Sequence, residues 1–334
     1  MHLVNLNAGA LKMKWVRKYF PILTLIVCIS CDDEDKLEQE IAQIPLTLEI
    51  QRFDREFAEA TPTDITKLKS KFPYLFPQQF PDSVWVSKLN DTIQQELLSE
   101  VDLAFGDFNE EELELVSLFQ HIRYYFPKYR VPKVVTLTSE VQYDDRVVLT
   151  DTLLLLGLDN YLGEEHHFYR SISKYISKGL DKKYLTSDVT SAFAKTINRY
   201  PRNRTFLSRM VYHGKELYLK DRLIPKTSDA QRINYTEGEL EWANENEEQI
   251  WRYFVERELL YSTASELDRR FLDPAPFSKF QLELDSESPG RLGRYIGWQI
   301  VRAYMNRNPQ VTLTELLDIP ADEIFKESKY KPKK

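Results

Sequence analysis

Apolar positions change their rhythm along the 334 residues. From Phe20 to Ser30 they run almost unbroken, as Phe-Pro-Ile-Leu-Thr-Leu-Ile-Val-Cys-Ile-Ser. A polar, charged stretch over residues 32–45 follows, and behind it Leu48, Ile50 and Phe53 alternate as in a strand. A helix is predicted near Thr63–Phe72. The aromatic, proline-punctuated segment Phe72-Pro-Tyr-Leu-Phe-Pro-Gln-Gln-Phe-Pro81 predicts an ordered, non-helical packing loop. Helical spacing predicts helices over about 88–105 and 111–126, the second with Leu113, Val116, Phe119, Ile122 and Tyr125 on its inner stripe. Val131–Thr138 is the clearest strand, Val147–Leu158 is another, and Tyr143-Asp-Asp145 is placed as the hairpin turn between them. Beyond that, three-and-four spacing predicts helices at 187–199, 203–220, 239–261, 291–306, 312–318 and 321–328. The expectation is one helix-rich α+β domain with a small early sheet over residues 46–328, followed by a frayed basic tail at 329–334.

The first apolar run has a second meaning. Residues 1–30 hold Lys12, Lys14, Arg17 and Lys18 and no acidic residue, so a basic segment precedes an apolar one that ends in small residues. That is the pattern of a secretory signal peptide, with Met13 as an alternative start. The run is too short to cross about 30 Å of hydrocarbon as a stable helix. Cys28, Ser30 and Cys31 occupy the places of a lipoprotein cleavage box, Cys28 standing where leucine is usual. Cleavage before Cys31 would leave its thiol for lipid, palmitate among the acyl chains, each buried methylene adding about 0.8 kcal/mol of membrane affinity. Residues 31–45 then form a polar tether. The expected address is the cell envelope, with inner and outer membrane both open.

Charge and cysteine usage narrow the class further. Loss of the four basic signal residues leaves 41 Lys and Arg against 52 Asp and Glu, a formal charge of −11. Such a balance argues against a nucleic-acid partner. Both cysteines lie at the cleavage region, so the mature chain forms no internal disulfide and depends on its core for stability. With 42% apolar residues that core is available.

Catalytic chemistry is sparse. His166-His167 lies beside Glu164 and Glu165, but neighbours on a helix point about 100° apart, and a surface position is the expectation for both histidines. His213-Gly-Lys-Glu216 puts a histidine and a glutamate on one helical face. A zinc-peptidase helix needs His-Glu-x-x-His, and here Gly214 and Leu217 fill the base and second-ligand positions. Glu256 and Glu258 are expected to pair with Arg252 and Arg257 rather than to hold a metal. Gly290, Gly293 and Gly297 lack both the spacing and the preceding strand of a phosphate loop, and are expected to permit close helix packing. Tyr253, Phe254, Phe271, Phe277 and Phe280 belong to a core or, as the alternative, line an aromatic groove for a peptide or glycan. No cofactor and no catalytic residue is expected.

Several long segments resemble a known family: Pro73-Tyr-Leu-Phe-Pro77, Leu118-Phe-Gln-His-Ile-Arg-Tyr-Tyr-Phe-Pro127, Leu156-Gly-Leu-Asp-Asn-Tyr-Leu-Gly163, Glu248–Glu258, Phe271–Phe277 and Pro289–Gln299. Together with the cleavage box, they are similar to the gliding motility lipoprotein GldB family across nearly the whole chain. The resemblance implies a component required for surface gliding, with other envelope proteins of the gliding machinery as partners and no established catalytic activity. A fainter likeness in element order is to gluzincin-like zinc peptidases. It would make His213 a first ligand, with His166 or His167 and Glu256 or Glu258 as the remaining candidates, and the chain a degenerate relative. The competing expectation is therefore a zinc-dependent hydrolase.

Overall fold

The computed structural model describes residues 29–281 and 285–333, with side chains from Asp35 onward. The segment read as a signal peptide and the side chain of Cys31 lie outside that part. Contacts divide the chain into Met1–Ile44 and Pro45–Lys334. In the first unit, the segment expected as a polar tether forms a helix, α1 (Ile29–Ala42).

The second unit is helix-rich α+β, built on a four-stranded sheet. Strand β1 (Ile50–Arg52) is shorter than its apolar pattern predicts. Phe53 opens α2 (Phe53–Ala58) instead, and its ring packs 5.0 Å from Phe72 and 5.8 Å from Phe76. Then come α3 (Ile65–Lys71), α4 (Asp82–Leu89), α5 (Thr92–Phe105) and α6 (Asn109–Tyr125). The single helix expected over 88–105 is broken because Asp91 caps a new start, its carboxylate accepting from Gln94 N at 2.8 Å. On α6 the inner stripe is Leu115, Leu118, Phe119 and Ile122, whereas Leu113 is 71% exposed.

Strand β2 (Lys133–Leu137) pairs in parallel with β1 on one side and with β4 (Leu153–Gly157) on the other, and β3 (Val147–Leu149) lies antiparallel along β4. The expected hairpin is therefore displaced. The reversal falls at residues 150–152, where Thr150 N bonds Leu153 O at 2.8 Å, and Tyr143–Asp145 is a single 3-10 turn. Val134, Leu154 and Leu156 join a core cluster with α6, while Val135 and Leu155 join one with α2 and α3. Both sheet faces are covered, which explains why Leu153-Leu-Leu-Leu156 is a continuous apolar run rather than an alternating one.

The rest is helical: α7 (Lys174–Ser177), α8 (Leu185–Ile197), α9 (Phe206–Leu223), α10 (Asp229–Ile233), α11 (Glu237–Glu245), α12 (Glu247–Glu256), α13 (Glu266–Phe271), α14 (Leu292–Arg307), α15 (Leu313–Asp318) and α16 (Ala321–Ser328). Thr205 caps α9 by accepting from Ser208 N. Helices α9 and α14 cross at backbone distance: a Cβ on Gly297 would lie 1.9 Å from Met210 O, and one on Gly214 would lie 2.2 Å from Gly297 O. Gly293 and Gly297 thus serve the close packing expected of them, while Gly290 precedes the helix. By contrast, a Cβ on Gly238 in α11 would meet nothing within 4 Å. Gly238→Ala should raise stability by about 0.5–1 kcal/mol through helix propensity alone, visible as a later urea midpoint.

The expected frayed tail is instead packed. Tyr330 stacks edge-on against Trp251 at 5.2 Å, and Glu247 Oε1 accepts from Tyr330 OH at 2.8 Å and Lys333 N at 3.2 Å.

Candidate functional site

A cavity of about 490 Å³ opens where α8, α9 and α10 meet the start of α14. Helical spacing supplies two of its walls. His213, Glu216, Leu217 and Lys220 share one face of α9, and Asp188, Ser191 and Lys195 share one face of α8. A third wall is the approach to β3, with Tyr143, Asp144 and Arg146. That approach is held by Asp159, whose buried carboxylate accepts from Ser139 N at 2.8 Å and Val141 N at 2.6 Å. The turn into α14 closes the cavity with Gly290, Arg291 and Arg294.

Seven cationic side chains line this space (Arg146, Lys178, Lys195, Lys220, Arg232, Arg291 and Arg294) against the three carboxylates Asp144, Asp188 and Glu216. Some of that charge is compensated nearby. Arg146 Nε lies 2.7 Å from Asp188 Oδ2, Lys178 Nζ 2.6 Å from Glu239, and Arg232 Nη1 2.7 Å from Asp229. Others bond only neutral groups. Lys220 Nζ donates to Ser187 Oγ and Arg232 O, both at 2.9 Å, Arg291 Nη2 donates to Asn234 O at 2.6 Å, and Arg294 Nε donates to Leu272 O.

Burial and this charge set the protonation states. Burial pushes the Lys220 ammonium down to about 8. Burial would raise Glu216, but the Lys220 and Arg294 charges outweigh it and hold its carboxyl well below the usual range. Burial, then the Arg294 charge, pushes His213 down to about 4. His213 Nδ1 stands 3.8 Å from Glu216 Oε2, too far for a hydrogen bond, and has no other partner among the described residues. His213 is therefore neutral at pH 7. Its contribution to stability is intact above pH 6.5 and is lost as pH falls toward 4, because the unfolded chain takes the proton that the folded chain refuses. An NMR titration should place the His213 imidazole midpoint near 4, not near 6.5.

The residues singled out from sequence do not converge. His166 Nε2 faces Glu100 at 3.3 Å and His167 Nε2 faces Glu96 at 3.0 Å, both on α5 and outside the cavity. Glu256 ends α12 and Glu258 follows it, both exposed, and Arg252 bonds Glu248 at 2.9 Å rather than Glu256. Among the described residues no three His, Cys, Asp or Glu side chains are grouped to hold a metal ion. His213 with Glu216 does not fit a catalytic zinc ion, which takes three protein ligands and keeps one open position. The aromatic groove is also corrected. Phe254 and Phe271 are fully buried with rings 5.0 Å apart, and Phe280 packs 5.1 Å from Phe271, because this cluster fills the core between α12, α13 and α14.

The profile of the family described as gliding motility protein GldB matches residues 34–332. The chain belongs to that family. No curated protein and no solved structure matches it. Membership makes it a gliding motility protein of a lipoprotein family, and among the described residues no helix is long and apolar enough to cross a membrane. Of the segments that carried the resemblance, Pro289–Gln299 builds both the glycine crossing of α9 and α14 and the Arg291–Arg294 wall of the cavity. Phe271–Phe277 contributes Pro274 and Ala275 to the same lining.

Sequence inspection missed the cationic wall. One signal was present: Arg291-Leu-Gly-Arg294 puts two positive charges at the electropositive start of a helix, where acidic residues are favoured.

Proposed function

We propose that the protein is a lipid-anchored envelope component of the gliding machinery that acts through contacts with other proteins of that machinery rather than by catalysis. The observation that carries the reading is Gly214. In the peptidase pattern this position holds the general base, and here its Cβ position lies 2.2 Å from the Gly297 carbonyl oxygen. No glutamate fits there without prying α14 from α9. Leu217, at the second-ligand position, is a buried member of the hydrophobic core.

The anchor in this reading is Cys31, cut free at its N-terminal side and acylated. Deletion of the gene should abolish cell spreading and surface movement, and the wild-type gene should restore both. Cys31→Ala should abolish palmitate labelling, release the protein from membranes and fail to restore movement. Normal movement in the deletion strain, or membrane retention with labelling of Cys31→Ala, would overturn it.

A further inference from the structure

We infer that the cavity between α8, α9, α10 and the start of α14 binds a small anion of two or more negative charges, carrying phosphate or several carboxylate groups, on Arg291, Arg294 and Lys220. The inference is independent of whether the protein is catalytic.

Charge is the first argument. The mature chain is formally −11, yet with Lys178 paired to Glu239 and Arg232 to Asp229 the cavity lining still carries a formal excess of two positive charges. Gathering like charges where water is partly excluded is costly unless an anion completes the set. Asp188 Oδ2 accepts from Arg146 Nε and from the Tyr161 hydroxyl, which is 3.0 Å away, and its charge reaches Lys220 without a hydrogen bond to it. Arg291, Arg294 and Lys220 are left facing the cavity with bonds to carbonyl and hydroxyl oxygens only.

The second argument is an unused donor. Arg232 is 8% exposed and lines the cavity, and its Nε has no hydrogen-bond acceptor among the described residues. A buried N–H without an acceptor is rare in native proteins, and this one is closed to solvent as the side chain stands, so a ligand oxygen satisfies it only once the guanidinium turns toward the cavity. The third is the frame. Arg291 is the left-handed N-cap of a sixteen-residue helix and Arg294 stands in its first turn, where the amide dipoles add positive potential. Guanidinium forks match the paired oxygens of carboxylate and phosphate groups, which fixes the class of ligand. A volume of about 490 Å³ suits a small molecule and not a folded partner. Glu216 and Asp144 are the opposing charges, and a doubly charged anion answers the remaining excess of two, where a singly charged one answers half.

The test is thermal unfolding of the full lipidated protein in detergent, with pyrophosphate, citrate or sodium chloride at matched ionic strength. With polyanion at about a hundred times its Kd, the midpoint should rise by about 5 °C over the chloride sample. Response to pyrophosphate alone assigns a phosphate-bearing ligand, response to citrate alone a polycarboxylate, and either supports the site. Arg294→Gln, and Arg291→Asn (asparagine tolerating the left-handed backbone at this position), should cut the rise to under about 1 °C. Should either variant not fold, the exposed rim substitution Lys195→Ala should lower the rise by about half. Lys326→Ala, on α16 outside the cavity, should leave it unchanged. A rise no larger than that in chloride overturns the inference. So does a rise that survives intact in the cavity variants that fold.

Discussion

Gly297→Ala is expected to cost at least about 3 kcal/mol of folding stability, toward the upper end of what overpacking a core produces. The added methyl would sit 1.9 Å from the Met210 carbonyl oxygen and 2.5 Å from its carbon. Those are backbone atoms in the middle of α9, so no side chain can swing aside, and the two helices must separate. Separation would loosen the contacts of Trp298, Ile300 and Val301, all fully buried in the same core. Gly214→Ala meets the same crossing from the other side, at 2.2 Å from the Gly297 oxygen, and should cost a comparable amount. Because one displacement relieves both clashes, the double variant should lose clearly less than the sum of the two. Urea unfolding of the three variants measures this. A loss below about 1 kcal/mol for Gly297→Ala would show that the helices are not held at backbone contact.

Asp221→Ala should be similarly damaging, by about 3–5 kcal/mol, for an electrostatic reason. Asp221 Oδ2 accepts from Arg302 Nε at 2.7 Å and from Trp298 Nε1 at 2.9 Å, while Oδ1 accepts from Arg302 Nη2 at 2.7 Å and Arg232 Nη1 at 3.3 Å. Removal of this one carboxylate leaves the Trp298 N–H unpaired and the buried Arg232 and partly buried Arg302 guanidinium groups sharing Asp229. The Arg302 guanidinium also lies 3.7 Å over the Trp298 ring, so its displacement disturbs the α14 packing as well. Asp221→Asn keeps the shape and an acceptor oxygen, and should cost less than alanine does. Almost no loss for Asp221→Asn beside a full loss for Asp221→Ala, measured by urea unfolding, would mean that shape and packing rather than charge pairing hold this corner.

Much of the architecture was legible because burial leaves a periodic trace. The helical stripes of α8, α9 and α14 and the apolar runs of β2 and β4 stand where spacing put them, within a few residues. Errors gathered where a local signal competes with the pattern. The Asp91 cap starts α5 inside the helix predicted over 88–105, whose first residues end the unpredicted α4, and Asn246 separates α11 from α12 within a stretch taken as continuous. Tyr143-Asp-Asp145 has turn composition, but the reversal belongs to Thr150, whose hydroxyl accepts from Leu153 N at 3.0 Å. The glycine crossing could be read from spacing. The cationic cavity could not, because its charges come from six separate stretches between Tyr143 and Arg294 and only the chain fold gathers them. Histidines drew attention as potential ligands, yet only His213 lies in the cavity, beside Glu216 and Arg294.

Elemental analysis for zinc, on full-length protein purified without chelator, tests the central claim of action without catalysis most directly. Far less than one zinc per chain is expected, with no change in metal content on His213→Ala. One zinc per chain, lost on His213→Ala while the variant remains folded, would contradict that claim and restore the hydrolase reading.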